Sequence, residues 1–161
     1  MTDLTMRVDD LSDPRIAEFL ADHLRDMHAK SPPESVHALD LAALKQPDIT
    51  FWSGWHNEEL VGCGALKRLD AGHVELKSMR TSPLHRRKGI GAFILRFILS
   101  EARQRGYRRM SLETGSMSYF TPAHRLYAAH GFLPCPPFEG YGEDPNSVFM
   151  TLLLGDDPVL R

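Results

Sequence analysis

Residues 86–95 read RRKGIGAFIL: three cationic side chains, two glycines spaced one residue apart, then an apolar run. Glycine is a poor helix former and adjacent like charges repel, so this order is unfavourable at the head of a helix. A bound anion offsets both costs. The first backbone N–H groups of a helix lack intrahelical acceptors, and the helix dipole makes that end partly positive. Glycines let the chain turn tightly and leave no Cβ between backbone and ligand. Successive N–H groups can then cradle a pyrophosphate, with Arg86, Arg87 and Lys88 as counter-charge. The alternative is a basic surface turn with glycines for steric relief. Neither common nucleotide fingerprint fits. A Walker A loop needs Lys and Ser or Thr after its last glycine, but Ala92 and Phe93 follow Gly91, and the third glycine of a dinucleotide motif is replaced by Ile94.

The chain on either side of this stretch alternates strand and helix patterns. TMRV (5–8) suits a short strand, and DPRIAEFLADHLRDMHAK a helix with Asp13 as N-cap and Pro14 in the first turn. A second helix is expected in ESVHALDLAALKQ, after the SPP break. The runs ITFWSGWH, LVGCGALKRL and GHVELKSMRTS read as three strands. After the glycine pair a buried helix is expected through Arg105, stopped by Gly106. RRMSLET is a strand, TPAHRLYAAHG a helix between Pro122 and Gly131, and FLPCPPF and SVFMTLLL are closing strands. Prolines make the first of these short or an edge. The order β-α-α-β-β-β-α-β-α-β-β describes an α/β domain with a mixed sheet.

A chain of 161 residues suits one domain over 1–161. At 42% hydrophobic and 25% charged it is globular, and a net charge of −2 gives no general attraction to nucleic acid or acidic membranes. Cys63 and Cys135 lack metal or disulfide-framework spacing, and the eight histidines are scattered, so no metal is expected. Without an apolar leader or a membrane-length run, the expectation is a soluble cytoplasmic protein. Trp52 and Trp55 read as packing residues in a strand.

Together, Arg86, Gly89 and Gly91 match [QR]-x-x-G-x-[GA], and Ala123, Leu126, Tyr127, Gly131 and Phe132 match A-x-x-L-Y-x-x-x-G-F. In these motifs, and in element order over nearly the whole chain, the sequence resembles the GNAT acyltransferase superfamily. That resemblance implies a single domain whose mixed sheet has a splayed central strand pair. It implies acetyl-CoA, occasionally another acyl-CoA, as donor. The pyrophosphate would rest on the backbone from Arg86 to Ala92 (Arg86, Arg87, Lys88, Gly89, Ile90, Gly91, Ala92), and the pantetheine would pair with Met79, Arg80 and Thr81 as an added strand. One position departs from the family: Phe120 stands where many members carry asparagine.

Acetyl transfer to an amine needs a neutral amine, a polarised carbonyl and a protonated leaving thiolate. The resemblance implies Tyr127 as the acid, against its alternative as a core aromatic. Glu75, on the strand before the glycine motif, and Glu113, on the strand after it, are the candidate bases. Each could instead hold a cationic substrate, pair with Lys77 or Arg80, or face solvent. In the loop PPFEGYGEDPNSVFM, Tyr141 is the main candidate for an acceptor pocket, with Glu139, Glu143, Asp144, His28 and His37 as further borders. The resulting expectation is an N-acetyltransferase acting on a primary amine of a small molecule or peptide, with no nucleic-acid or membrane partner. Two other classes compete: a catalytically silent acyl-CoA-binding regulatory module, and a nucleic-acid binder using Arg86–Lys88 and RQRGYRR (103–109). Oligomeric state stays open, a homodimer being common in the family.

Overall fold

A computed structural model describes residues 4–32, 41–86 and 88–155. Seven strands form one mixed sheet in the spatial order β1-β2-β3-β4-β5-β7-β6. They are β1 (Leu4–Val8), β2 (Ile49–His56), β3 (Glu59–Arg68), β4 (His73–Thr81), β5 (Arg109–Gly115), β6 (Leu133–Pro134) and β7 (Ser147–Leu153). The helices are α1 (Pro14–Lys30), α2 (Leu41–Leu44), α3 (Ile90–Gln104) and α4 (Thr121–Ala129), with single 3-10 turns at Pro83–His85 and Ser118–Phe120. This is the single α/β domain with a mixed sheet that the sequence implied. The second expected helix is described only over its last part, because residues 33–40 and with them His37 lie outside the described residues. Among the described residues no helix is long and apolar enough to cross a membrane.

Local chemistry accounts for the element ends. The Asp13 carboxylate accepts from the Arg15 N–H at 2.9 Å, satisfying an orphan donor of α1, and Pro14 occupies the first turn, where its missing N–H costs nothing. Gly106, at φ 84°, ends the α3 segment in the left-handed region. The proline-bearing β6 is two residues long and lies at the sheet edge.

Every neighbouring strand pair is antiparallel except β4–β5. That parallel pair needs a crossover, and α3 supplies it. The helix buries Ile90, Ile94, Leu95, Ile98, Leu99 and Ala102 against one sheet face, with Trp52, Val61, Val74, Leu76, Met110 and Leu112 beneath or beside it. A second apolar cluster joins Ile16 and Leu20 of α1 and Leu44 of α2 to Phe51, Trp55, Cys63 and Ala65. Both tryptophans are packing residues: Trp52 meets Phe97 edge-on, and the guanidinium groups of Arg7 and Arg15 lie 4.8 and 4.6 Å from the Trp55 ring centre.

Two glycines of β3 set how closely α3 approaches. A Cβ at Gly62 would collide with Ile94 Cδ1 and come within 2.7 Å of the Arg80 carbonyl oxygen. A Cβ at Gly64 would sit 2.5 Å from Ile98 Cδ1, the mobile end of a side chain. Gly62→Ala is therefore expected to lower unfolding stability by roughly 1–3 kcal/mol through overpacking against backbone, and Gly64→Ala by less. Urea denaturation of the two variants beside the parent measures the difference; equal midpoints would exclude a tight β3–α3 approach at Gly62.

Candidate active site

The pairing of β4 with β5 covers only His73–Glu75 against Arg109–Ser111. Beyond that rung the strands part, and the opening is a cleft of about 630 Å³. Residues 75–81 of β4 and 112–115 of β5 form its sides. The start of α3 (89–92) and Ala123, Leu126 and Tyr127 of α4 close one wall, and His23 and Met27 of α1 reach the rim.

At the α3 end, Gly89 is the N-cap residue, with φ 77° and no side-chain capping bond. A Cβ there would touch nothing within 4 Å, so the glycine is required for its backbone conformation rather than for room. The first amides of α3 are thus left for an anion on the cleft wall. Such a surface fits a phosphate-bearing group. Gly91, Ile90, Ala92 and Arg86 also line the cleft, whereas the exposed Lys88 lies outside its lining and Arg87 outside the described residues. The exposed Arg86 guanidinium is 3.5 Å from the Tyr119 hydroxyl.

Along the middle of the cleft, β4 beyond Glu75 has no strand partner on its β5 side. Its edge backbone there is open to an extended ligand, as Met79, Arg80 and Thr81 were expected to be. A bulge interrupts the other side: two β4 residues stand between the Ala65–Lys77 and Cys63–Arg80 pairs, and Ser78 adopts φ 54°. The Arg80 side chain turns away to α1. Its Nη1 donates to Asp26 Oδ2 at 2.8 Å, and the guanidinium lies 5.3 Å from the Phe19 ring centre. Arg80 therefore fastens α1 to β4. Burial, with Arg80 nearby, pushes His23 down to about 4, so that imidazole is neutral.

Four acidic or phenolic groups meet at the inner end. Tyr127 is 8% exposed, and its hydroxyl has no hydrogen-bond partner among the described residues. Burial pushes its pKa up to about 12, with Glu113 adding to the rise, so the proton is retained. Burial likewise raises Glu113 to about 7; Glu75 and Asp144 act in the same sense, while the nearby Ser147 hydroxyl and the charge of Lys77 oppose it. Glu75, only 3% exposed, is already engaged. Its Oε2 accepts from the Tyr141 hydroxyl at 2.5 Å and from Lys77 Nζ at 3.1 Å, and Lys77 Nζ also donates to the Tyr141 oxygen at 3.0 Å. Tyr141 arrives from the loop between β6 and β7, its ring packed on Phe138 and Phe149. Burial and the Glu75 carboxylate hold its phenol far above the ordinary range.

The structure thus gathers Tyr127, Glu75, Glu113 and Tyr141 around one end of the cleft. His28, Glu139 and Glu143 are exposed and enter none of these contacts. Lys77 and Asp26 were not singled out as site residues from sequence, although Glu75 and Lys77 alternate on a strand and so share a face. Phe120 packs onto Gly115 so closely that a Cβ there would run into the ring. Both line the cleft. Among the described residues no group of His, Cys, Asp and Glu is arranged to hold a metal ion.

Residues 16–132 match the model of the acetyltransferase (GNAT) family. The N-acetyltransferase YsnE of Bacillus subtilis is 56% identical over 146 residues, which cover 91% of this chain and 97% of YsnE. An acyl-CoA N-acyltransferase of Klebsiella pneumoniae superposes with a TM-score of 0.79 at 28% identity, over 94% of this chain and 97% of that one. A GNAT acetyltransferase of Elizabethkingia anophelis, solved with acetyl-CoA bound, superposes with a TM-score of 0.64 at 17% identity, over 95% and 99% of the two chains.

The raised Glu113 pKa has a consequence for stability. Between the ordinary glutamate value and about 7, the folded chain holds a proton that the unfolded chain has released. Stability attributable to this group therefore falls as pH rises through that window and stays low above it. Glu113→Gln is expected to be more stable than the parent at pH 8, by on the order of 1–2 kcal/mol, with the gain disappearing near pH 4. Thermal or urea unfolding at the two pH values measures it; a variant no more stable at pH 8 would exclude a raised carboxyl.

Proposed function

Because this chain belongs to the GNAT family of acetyltransferases, we propose that it moves the acetyl group of acetyl-CoA directly onto a primary amine of a small molecule or peptide. The observation that carries the reading is that the uncapped α3 start, the unpaired β4 edge, Tyr127 and Glu113 all line one cleft. Acetyl-CoA, when bound, supplies an activated thioester. The amides from Gly89 to Ala92, with Arg86, hold the pyrophosphate, and the backbone of Met79, Arg80 and Thr81 aligns the pantetheine arm with the inner end.

Glu113 is the base in this reading. With a pKa of about 7 it is half ionised at neutral pH, able both to attract an ammonium ion and to take its proton, directly or through one water. Glu75 is the weaker candidate because Tyr141 and Lys77 already occupy its Oε2. Tyr127, protonated throughout the working range, gives its hydroxyl proton to the departing sulfur. The half-buried Tyr141 borders the acceptor side through its contact with Glu75. A silent acyl-CoA-binding module would need the phosphate cradle but neither Tyr127 nor Glu113.

The test has two parts. Isothermal titration should show acetyl-CoA binding, and its absence at millimolar concentration would remove the donor assignment. An amine panel followed by release of free CoA thiol should then find turnover. Tyr127→Phe is expected to lower kcat by about 10²–10³ with little change in acetyl-CoA affinity. In the parent, kcat/KM should rise with pH to a plateau above an apparent pKa near 7, and Glu113→Gln should abolish that limb. Normal turnover by Tyr127→Phe would rule it out as the acid.

A further inference from the structure

We infer that Lys77 is a positioning residue that sets the charge state of Glu113, and that Glu75 and Tyr141 hold its ammonium back from that carboxylate. The inference rests on Glu113 as the base. Glu75 opposes Ser111 on the last rung shared by β4 and β5. Side chains alternate along a strand, so the next residues on the same face are Lys77 and Glu113. Had the sheet stayed closed, they would be neighbours and an oppositely charged cross-strand pair. The parting of the strands opens a gap between them.

The ammonium instead bonds back along its own strand to Glu75 Oε2 at 3.1 Å and to the Tyr141 hydroxyl at 3.0 Å. The Tyr141 hydroxyl bonds the same carboxylate oxygen at 2.5 Å, closing a three-membered ring of contacts. Lys77 and Glu75 are both nearly buried, with side-chain exposures of 8% and 4%, so their charges act through protein rather than water. The groups facing Glu113 are Lys77 and Glu75 from β4, Tyr141 and Asp144 from the loop before β7, Ser147 at the start of β7, and Tyr127 from α4. Lys77 is the cation in that set. Burial is the main cause of the raised carboxyl and Lys77 opposes it, so where the ammonium is held moves the Glu113 midpoint within the rise that burial imposes.

Two charge changes separate this arrangement from simple packing. Lys77→Met removes the stabilising cation and should raise the Glu113 midpoint. Glu75→Gln removes a repelling charge and releases the ammonium toward Glu113, so it should lower the midpoint. A site merely loosened by either substitution would let water in and lower the midpoint in both. The measurement is a pH titration of the full chain labelled with ¹³C at the glutamate carboxyl carbon, the Glu113 resonance being assigned by its loss in Glu113→Gln.

Shifts of about 1 pH unit in opposite directions are expected. Shifts in the same direction, or none in either variant, overturn the inference while leaving Glu113 free to be the base. A parent midpoint in the ordinary carboxylate range removes the base assignment, and this inference with it. Should Lys77→Met fail to fold, Lys77→Gln replaces it. That variant removes the charge while keeping a polar head, and it should also raise the Glu113 midpoint; a lowered or unchanged midpoint there overturns the inference.

Discussion

The site depends on one short parallel pairing. Joining β4 to a parallel β5 requires a crossover, and the crossover α3 must begin at the carboxyl end of β4. That is also where the two strands diverge. The helix start, with its unpaired amides, is thereby delivered to the mouth of the gap that the divergence creates. Ligands of open α/β sheets collect at such points because backbone donors and free strand edge coincide there. Gly62 and Gly64 allow the helix to lie close to the sheet, so its N-terminus is held in place by an apolar interface rather than by a flexible loop.

The same divergence creates an electrostatic problem at the inner end of the cleft. Glu75, Lys77, Glu113 and Tyr141 lie close together with little water, where an unpaired charge is costly. The chain resolves this unevenly. Glu75 and Lys77 pair with each other, and Tyr141 hydrogen-bonds to both. Glu113 is left with one opposing cation in view and two like charges, and burial settles it near neutrality. An engaged carboxylate and a poised one, two strands' width of chemistry from the same residue type, arise from which partner each reaches.

Much of this was legible in the sequence because it depends on local rules. The glycine pair announced its helix start through the αL need at Gly89, and the proline-rich stretch announced a short edge strand in β6. Glu113 and Tyr127, singled out from their strand and motif contexts, both line the cleft. The unread part is long-range. Tyr141 reaches Glu75 from sixty-six positions away, and Arg80 reaches Asp26 across fifty-four. Neither pairing has a sequence period. Arg80 sat among expected donor-binding residues, and only the position of α1 showed its side chain committed elsewhere. The Ser78 bulge was hidden for a related reason: it depends on how β3 registers against β4, not on serine's own preference.

Phe120 and Gly115 face each other across the start of α4, the ring occupying the space that any larger residue at 115 would need. The two positions are consequently a single unit of shape. An amide placed at 120 alone would uncover a hollow above Gly115, while a side chain added at 115 alone would drive the ring into the cleft. A change at either position is therefore coupled in shape to the other. Phe120 is thus tied to a neighbour, and replacing it by asparagine would reshape the cleft wall before it added a hydrogen bond.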